Sequence, residues 1–149
     1  MTTVLNETAA AQAFNEDHAA YKNGEWSQAL KLVDQVLSPH SDWVPAWLMK
    51  ARCLVQLGEW MPAREAFAQT LRLDPAHYSA WLEAGHLCRQ MGELTQAAMA
   101  YQRAIDATPT RFEAYLGMAR VKAQQGHTEL TNRAYNDAVQ VHTANLMGW

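Results

Sequence analysis

The chain has 149 residues, the size of one compact unit or a short repeat array and too short for two separately cored domains of ordinary size. Apolar residues make up 49% and charged residues 18%, a balance that folds and excludes a disordered tract. Twelve Lys and Arg against fifteen Asp and Glu leave a formal charge of −3, so the broad basic field that holds phosphate backbones is missing and a nucleic-acid role is excluded from the expectations.

Taken from the start, the chain repeats itself. Gly24, Gly58, Gly92 and Gly126 follow one another at steps of 34, and the same step relates Trp47, Trp81 and Tyr115, then Ala29, Ala63 and Ala97, then Phe67, Tyr101 and Tyr135, and finally Pro75 and Pro109. After a lead-in of residues 1–9 come four units, 10–43, 44–77, 78–111 and 112–145, and an apolar tail of 146–149. Unit 10–43 departs from the common pattern, with Ala13 at the aromatic place, Asp17 at a small-residue place and Pro39 two residues early. Units 44–77 and 78–111 are regular, as Trp47, Ala51, Gly58, Ala63, Phe67 and Pro75 and their counterparts show. Unit 112–145 carries Thr131 for the packing alanine and Thr143 for the proline. Both outer units read as caps with one face in water.

Within a unit the apolar residues recur at helical spacing on either side of the glycine, which ends the first helix, and the proline stops the second. Each unit is therefore expected to be a helical hairpin, all-α, and helices of about a dozen residues need to stack on neighbours to be stable. Small residues at Ala51, Gly85 and Ala119, and at Ala63 and Ala97, let backbones approach where Trp47, Trp81, Phe67 and Tyr101 fill the space beside them. Cys53 and Cys88 sit in apolar helical stretches and read as small buried residues, not as a disulfide or zinc site.

In these residues the chain resembles the tetratricopeptide repeat family over about nine-tenths of its length. The resemblance implies a right-handed α-α superhelix and a concave groove, lined by the first helix of each unit, that holds an extended peptide or a partner's helix. The sequence by itself does not assign that side. On it the fifth place of each unit holds Phe14, Leu48, Leu82 and Leu116, and the ninth holds His18, Arg52, His86 and Arg120. Tyr21 and Arg89 occupy the twelfth place in their units, beside a row of Lys22, Gln56, Gln90 and Gln124. An apolar rail beside a basic rail suits an acidic, partly apolar peptide, with carboxylates about three residues apart meeting successive basic places. Arg52→Glu with Arg120→Glu is expected to abolish such binding, and contacts through His18 and His86 are expected to tighten as pH falls toward about 6.

The expected role is thus a non-enzymatic scaffold or adaptor for a protein or peptide. There is no phosphate loop, no nucleophile elbow and no pair of the six histidines at helical metal-ligand spacing, so neither catalytic residues, metal nor cofactor is expected. Two other readings stand beside it: a small secretion chaperone resembling the type III translocator chaperones, and the substrate-recruiting N-terminal portion of a larger enzyme resembling the O-GlcNAc transferases. The constellation with which some family members clamp a heat-shock chaperone's C-terminal carboxylate does not carry over, since Phe14, His18, Met49, Ser79 and Glu83 occupy its places. No run approaches the roughly 18 apolar residues that cross a bilayer, and the start lacks a secretory signal, so the expected location is the cytoplasm, away from membranes. Leu146, Met147 and Trp149 make the tail a candidate for self-association.

Overall fold

The computed structural model describes Gln12 and residues 14–148, so the expectations placed on the lead-in, on Ala13 and on Trp149 lie outside the described residues. Among the described residues there are eight helices and no strand: α1 (residues 14–22), α2 (Trp26–Leu37), α3 (Val44–Gln56), α4 (Trp60–Leu73), α5 (Tyr78–Gln90), α6 (Leu94–Ala107), α7 (Glu113–Gln124) and α8 (Thr128–Leu146). The fold class is an all-α helical-repeat solenoid, as expected from the period. The chain falls into two compact units, the first ending at Pro75 and the second beginning at Ala76, each made of two hairpins.

The turn inside each hairpin is set by its glycine. At Gly58 the backbone takes φ +77, a left-handed conformation that side chains with a Cβ resist, and the other three hairpin glycines repeat it. There Gly58 N–H donates to the Val55 carbonyl at 3.1 Å and Glu59 N–H to the Leu54 carbonyl at 2.9 Å, which satisfies two otherwise open carbonyls at the end of α3. Helix starts are fixed differently. Pro45 occupies the first turn of α3, where its missing N–H costs nothing, and His77 caps α5 by accepting from Ala80 N–H through Nδ1 at 3.1 Å.

In the first unit, Val33, Val36 and Leu37 of α2 meet Ala46, Met49 and Cys53 of α3, with Phe14, Tyr21 and Trp47 closing the edges. Full burial of a side chain such as Val or Leu contributes about 1.5–3 kcal/mol. One group works against this core. Asp17 is 0% exposed, and neither of its carboxylate oxygens has a partner among the described residues. Burial pushes its carboxyl up to about 7. The Cys53 thiol is pushed up to about 12, by burial first and then by the negative charges of Asp17 and Asp34.

In the second unit, Tyr101 of α6 is wholly buried with Cys88, Ala97 and Val121, while Tyr78, Ala104 and Ala114 form a second cluster. The Tyr78 hydroxyl accepts from Ala114 N–H at 3.2 Å and donates to Glu113 Oε2 at 3.4 Å, tying the start of α7 to α5. The Arg111 guanidinium lies 4.5 Å from the Tyr78 ring centroid. Helix α8 runs to Leu146, so the tail begins as helix.

Candidate functional site

The residues singled out on the first helices do not form an open apolar rail. In the first unit, Leu48 is 6% exposed and belongs to the core, and Phe14 lies against Trp43 with ring centroids 5.0 Å apart. In the second unit, Leu82 packs against both core clusters. The apolar expectation is corrected at Leu48, whose side chain is taken into the core; Phe14, Leu82 and Leu116 stay half-buried. Tyr21 and Arg52 are half-buried and His18 is exposed.

The second unit brings the polar candidates together. His86 and Arg89 lie three residues apart on α5, Arg120 is exposed on α7, and α5 packs against α7. The His86 Nδ1 is 2.6 Å from the Tyr101 hydroxyl, with the two rings edge to face at 5.4 Å. Arg89 lies near enough to the same hydroxyl to oppose the rise of its pKa. Tyr101 reaches this place through a slot walled by two glycines: a Cβ at Gly85 would come within 2.8 Å of its ring and one at Gly117 within 2.4 Å. Neither Arg89 nor Arg120 has a carboxylate partner among the described residues, and the Arg89 Nε is buried without an acceptor.

Burial lowers the pKa of His86 below its ordinary 6.5, the charge of Arg89 acts in the same direction, Glu83 opposes it, and Arg120 adds a lesser lowering. The shift runs against the expectation that His86 gains charge and tightens binding as pH falls toward 6, because burial and the neighbouring cations disfavour the protonated imidazole. Burial raises the Tyr101 phenol above its ordinary 10, and the nearby Arg89 opposes the rise. Sequence reasoning missed Tyr101 as a polar participant, since its ring marks it as core and its hydroxyl gives no periodic signal.

A separate hollow of about 410 Å³ in the second unit is lined by Met99 of α6, Met118 and Lys122 of α7, and Leu130, Arg133 and Asp137 of α8. Met118 and Lys122 are each two residues, about 200°, around the helix from Arg120, so this hollow opens on the opposite side of α7. Among the described residues no group of three His, Cys, Asp or Glu side chains is placed to hold a metal ion. No helix among them is long and apolar enough to cross a membrane.

Residues 48–112 match the family model described as tetratricopeptide repeat. No curated protein sequence matches the chain. Among solved structures, a crystal structure of MamA superposes with a TM-score of 0.89 at 15% identity, covering 93% of this chain and 81% of that one. The tetratricopeptide repeat domain of OM64 from Arabidopsis gives 0.76 at 18% identity, with coverage of 80% and 98%. The first such domain of Spaghetti (RPAP3), bound to the HSP90 peptide SRMEEVD, gives 0.75 at 15% identity, with coverage of 78% and 93%. At these identities the likeness is one of fold.

Proposed function

The chain is a tetratricopeptide-repeat protein, and from that premise we propose that it is a non-enzymatic interaction scaffold that captures an acidic peptide segment on the faces of its first helices. The observation that carries this reading is the pair of guanidinium groups in the second unit, Arg89 and Arg120, whose charges both act on His86 and which have no ion-pair partner among the described residues. In a chain of net charge −3 such a cluster attracts an anionic partner locally, and rigid helices hold it in place. Within the second unit apolar contact with the ligand falls to the half-buried Leu82 and Leu116, while the first unit, taken by itself, offers His18, Arg52 and Tyr21 on its own first helices.

The fold supports the reading independently, because a domain of similar fold holds SRMEEVD, a peptide in which three of seven residues are Glu or Asp. The test is an array of immobilised peptides carrying Asp and Glu at spacings of two to four residues, probed with the wild type and with Arg52→Glu/Arg120→Glu. Retention of acidic peptides by the wild type and loss by the variant, with helical content unchanged, is expected. Equal retention by both refutes the acidic-surface reading.

A further inference from the structure

Helix α8 presents the face that α6 keeps covered. Thr131, Tyr135, Val139 and His142 stand 34 residues beyond Ala97, Tyr101, Ile105 and Thr108. On α6 that stripe is taken up inside the unit: Tyr101 is 0% exposed against Gly117 of α7, and Ile105 packs on the cluster of Tyr78, Ala104 and Ala114. On α8 no helix among the described residues covers it, so Tyr135 is 39% exposed, Val139 62%, and Leu146, one turn further along, 74%. An outward helix face ordinarily carries charges. In residues 134–148 the only Asp, Glu, Lys or Arg is Asp137, which lines the hollow about 200° around the helix from Tyr135. The exposed flanks of the stripe are Asn132, Asn136 and Thr143 instead. Depletion of charge around exposed aromatic and aliphatic side chains is the composition of an interface core. The face is also held ready, since Asn145 Nδ2 donates to the Thr110 carbonyl at 2.7 Å and the His142 ring lies edge to face on Phe112 with centroids 4.7 Å apart.

We propose that this face of α8 is a self-association surface, pairing with the same face of a second copy, the two helices antiparallel about a twofold axis. Its charge pattern favours a second copy: a twofold axis sets each charge of a face near its own kind, and a face with none meets itself without that repulsion. The register is complementary as well. An antiparallel pair centred between residues 138 and 139 sets Thr131 opposite Leu146 and Val139 over Ala138, a small side chain meeting a larger one in each case. It also sets Tyr135 opposite His142. The Tyr135 hydroxyl has no hydrogen-bond partner among the described residues, and it would meet an imidazole, the pairing that Tyr101 and His86 make at 2.6 Å inside the unit. Of the apolar tail only Leu146 belongs to the stripe, because Met147 is turned about 100° from it. One helix a side makes a small interface, of the class below about 1,200 Å², so the dimer is a weak one that dissociates at roughly micromolar concentrations.

Sedimentation equilibrium of the full chain from about 1 to about 500 µM is expected to show a monomer–dimer equilibrium. Val139→Lys and Val139→Glu change a side chain that is mostly exposed in the single copy, and each sets like charges together across the twofold. Either variant alone is expected to weaken the dimer at least about tenfold, with helical content unchanged. Mixing the two is expected to restore dimers, since lysine then faces glutamate. Leu146→Lys, at the far end of the stripe, is expected to weaken pairing by itself and decides the matter should a Val139 variant fail to fold. A wild type that stays monomeric at about 500 µM overturns the proposal and leaves the face to a different protein. Dimers that survive Val139→Lys or Leu146→Lys overturn it too. So do charge variants that stay monomeric when mixed, or a mass that keeps growing past the dimer, because the face then pairs with something other than itself. None of these readouts involves an acidic peptide, so the proposal stands or falls apart from the scaffold reading.

Discussion

Replacing Asp17 with alanine is expected to stabilise the protein at neutral pH, and the size of the effect follows from its burial. A carboxyl raised from 3.8 to about 7 holds its proton more tightly in the fold than in the unfolded chain. Folding is therefore most favourable below about pH 4, weakens as pH rises toward 7 and is level above that. A rise of roughly three units corresponds to ~4 kcal/mol lost across that window. Two things reduce what a measurement returns. The first hairpin can open locally and so escape the penalty, and removing the carboxyl leaves a small void that costs ~1 kcal/mol. The void is modest because Ala51, Gly85 and Ala119 occupy the same register place and are buried there. Urea unfolding followed by far-UV circular dichroism at pH 5, 6, 7 and 8 is the assay, with hydrogen exchange of the α1 amides locating the change. The expected result is a wild type that weakens with rising pH and an Asp17→Ala protein that does not, with a gain of ~2–3 kcal/mol at pH 8. If Asp17→Ala is instead less stable than wild type at pH 8, the carboxylate is stabilising and the reasoning is wrong.

The Cys53 thiol, pushed up to about 12, is expected to resist thiol reagents at pH 8 and to become reactive only in urea, which a timed alkylation would show. Gly117→Ala drives a Cβ to 2.4 Å from a fully buried ring and is expected to cost ~1–3 kcal/mol in urea unfolding; a cost near zero would mean that Tyr101 has room to move. The lowered pKa of His86 makes its contribution full above 6.5 and lost as pH falls below that, opposite in direction to Asp17. Hydrogen exchange should accordingly show the second unit loosening toward acid pH in the wild type and less so in His86→Phe. Gly58→Ala is expected to cost ~1 kcal/mol, from the strain of a Cβ at positive φ, readable as a drop in urea midpoint.

The hairpins were legible because their determinants recur. Gly58 and its three equivalents fix the turn by a backbone conformation that few residues other than glycine take up readily, so the 34-residue step shows through variable surfaces. The fate of Phe14, Leu48 and Leu82 was not legible, since periodicity places a leucine on a helix face without saying whether a neighbour covers it. Asp17 was visible as an odd residue at a small place, but its lack of a partner depends on which side chains fold around it. Only half of the Tyr101 slot had a signal, in the small Gly85: Gly117 does not recur, its register counterparts being Glu83, Met49 and Asn15. Features built by repetition could be read, and features unique to one pair of helices could not.

That uniqueness bears on whether the repeats are interchangeable modules. Helix α6 presents a ring that fits only between a helix with glycine at 85 and another with glycine at 117. A recombined array that set a hairpin with glutamate or methionine at the latter place behind α6 would drive a side chain into the space the tyrosine ring fills. The two hairpins of the second unit share the common framework but are keyed to each other, so their order is written into side-chain shape as well as into the connectivity of the chain.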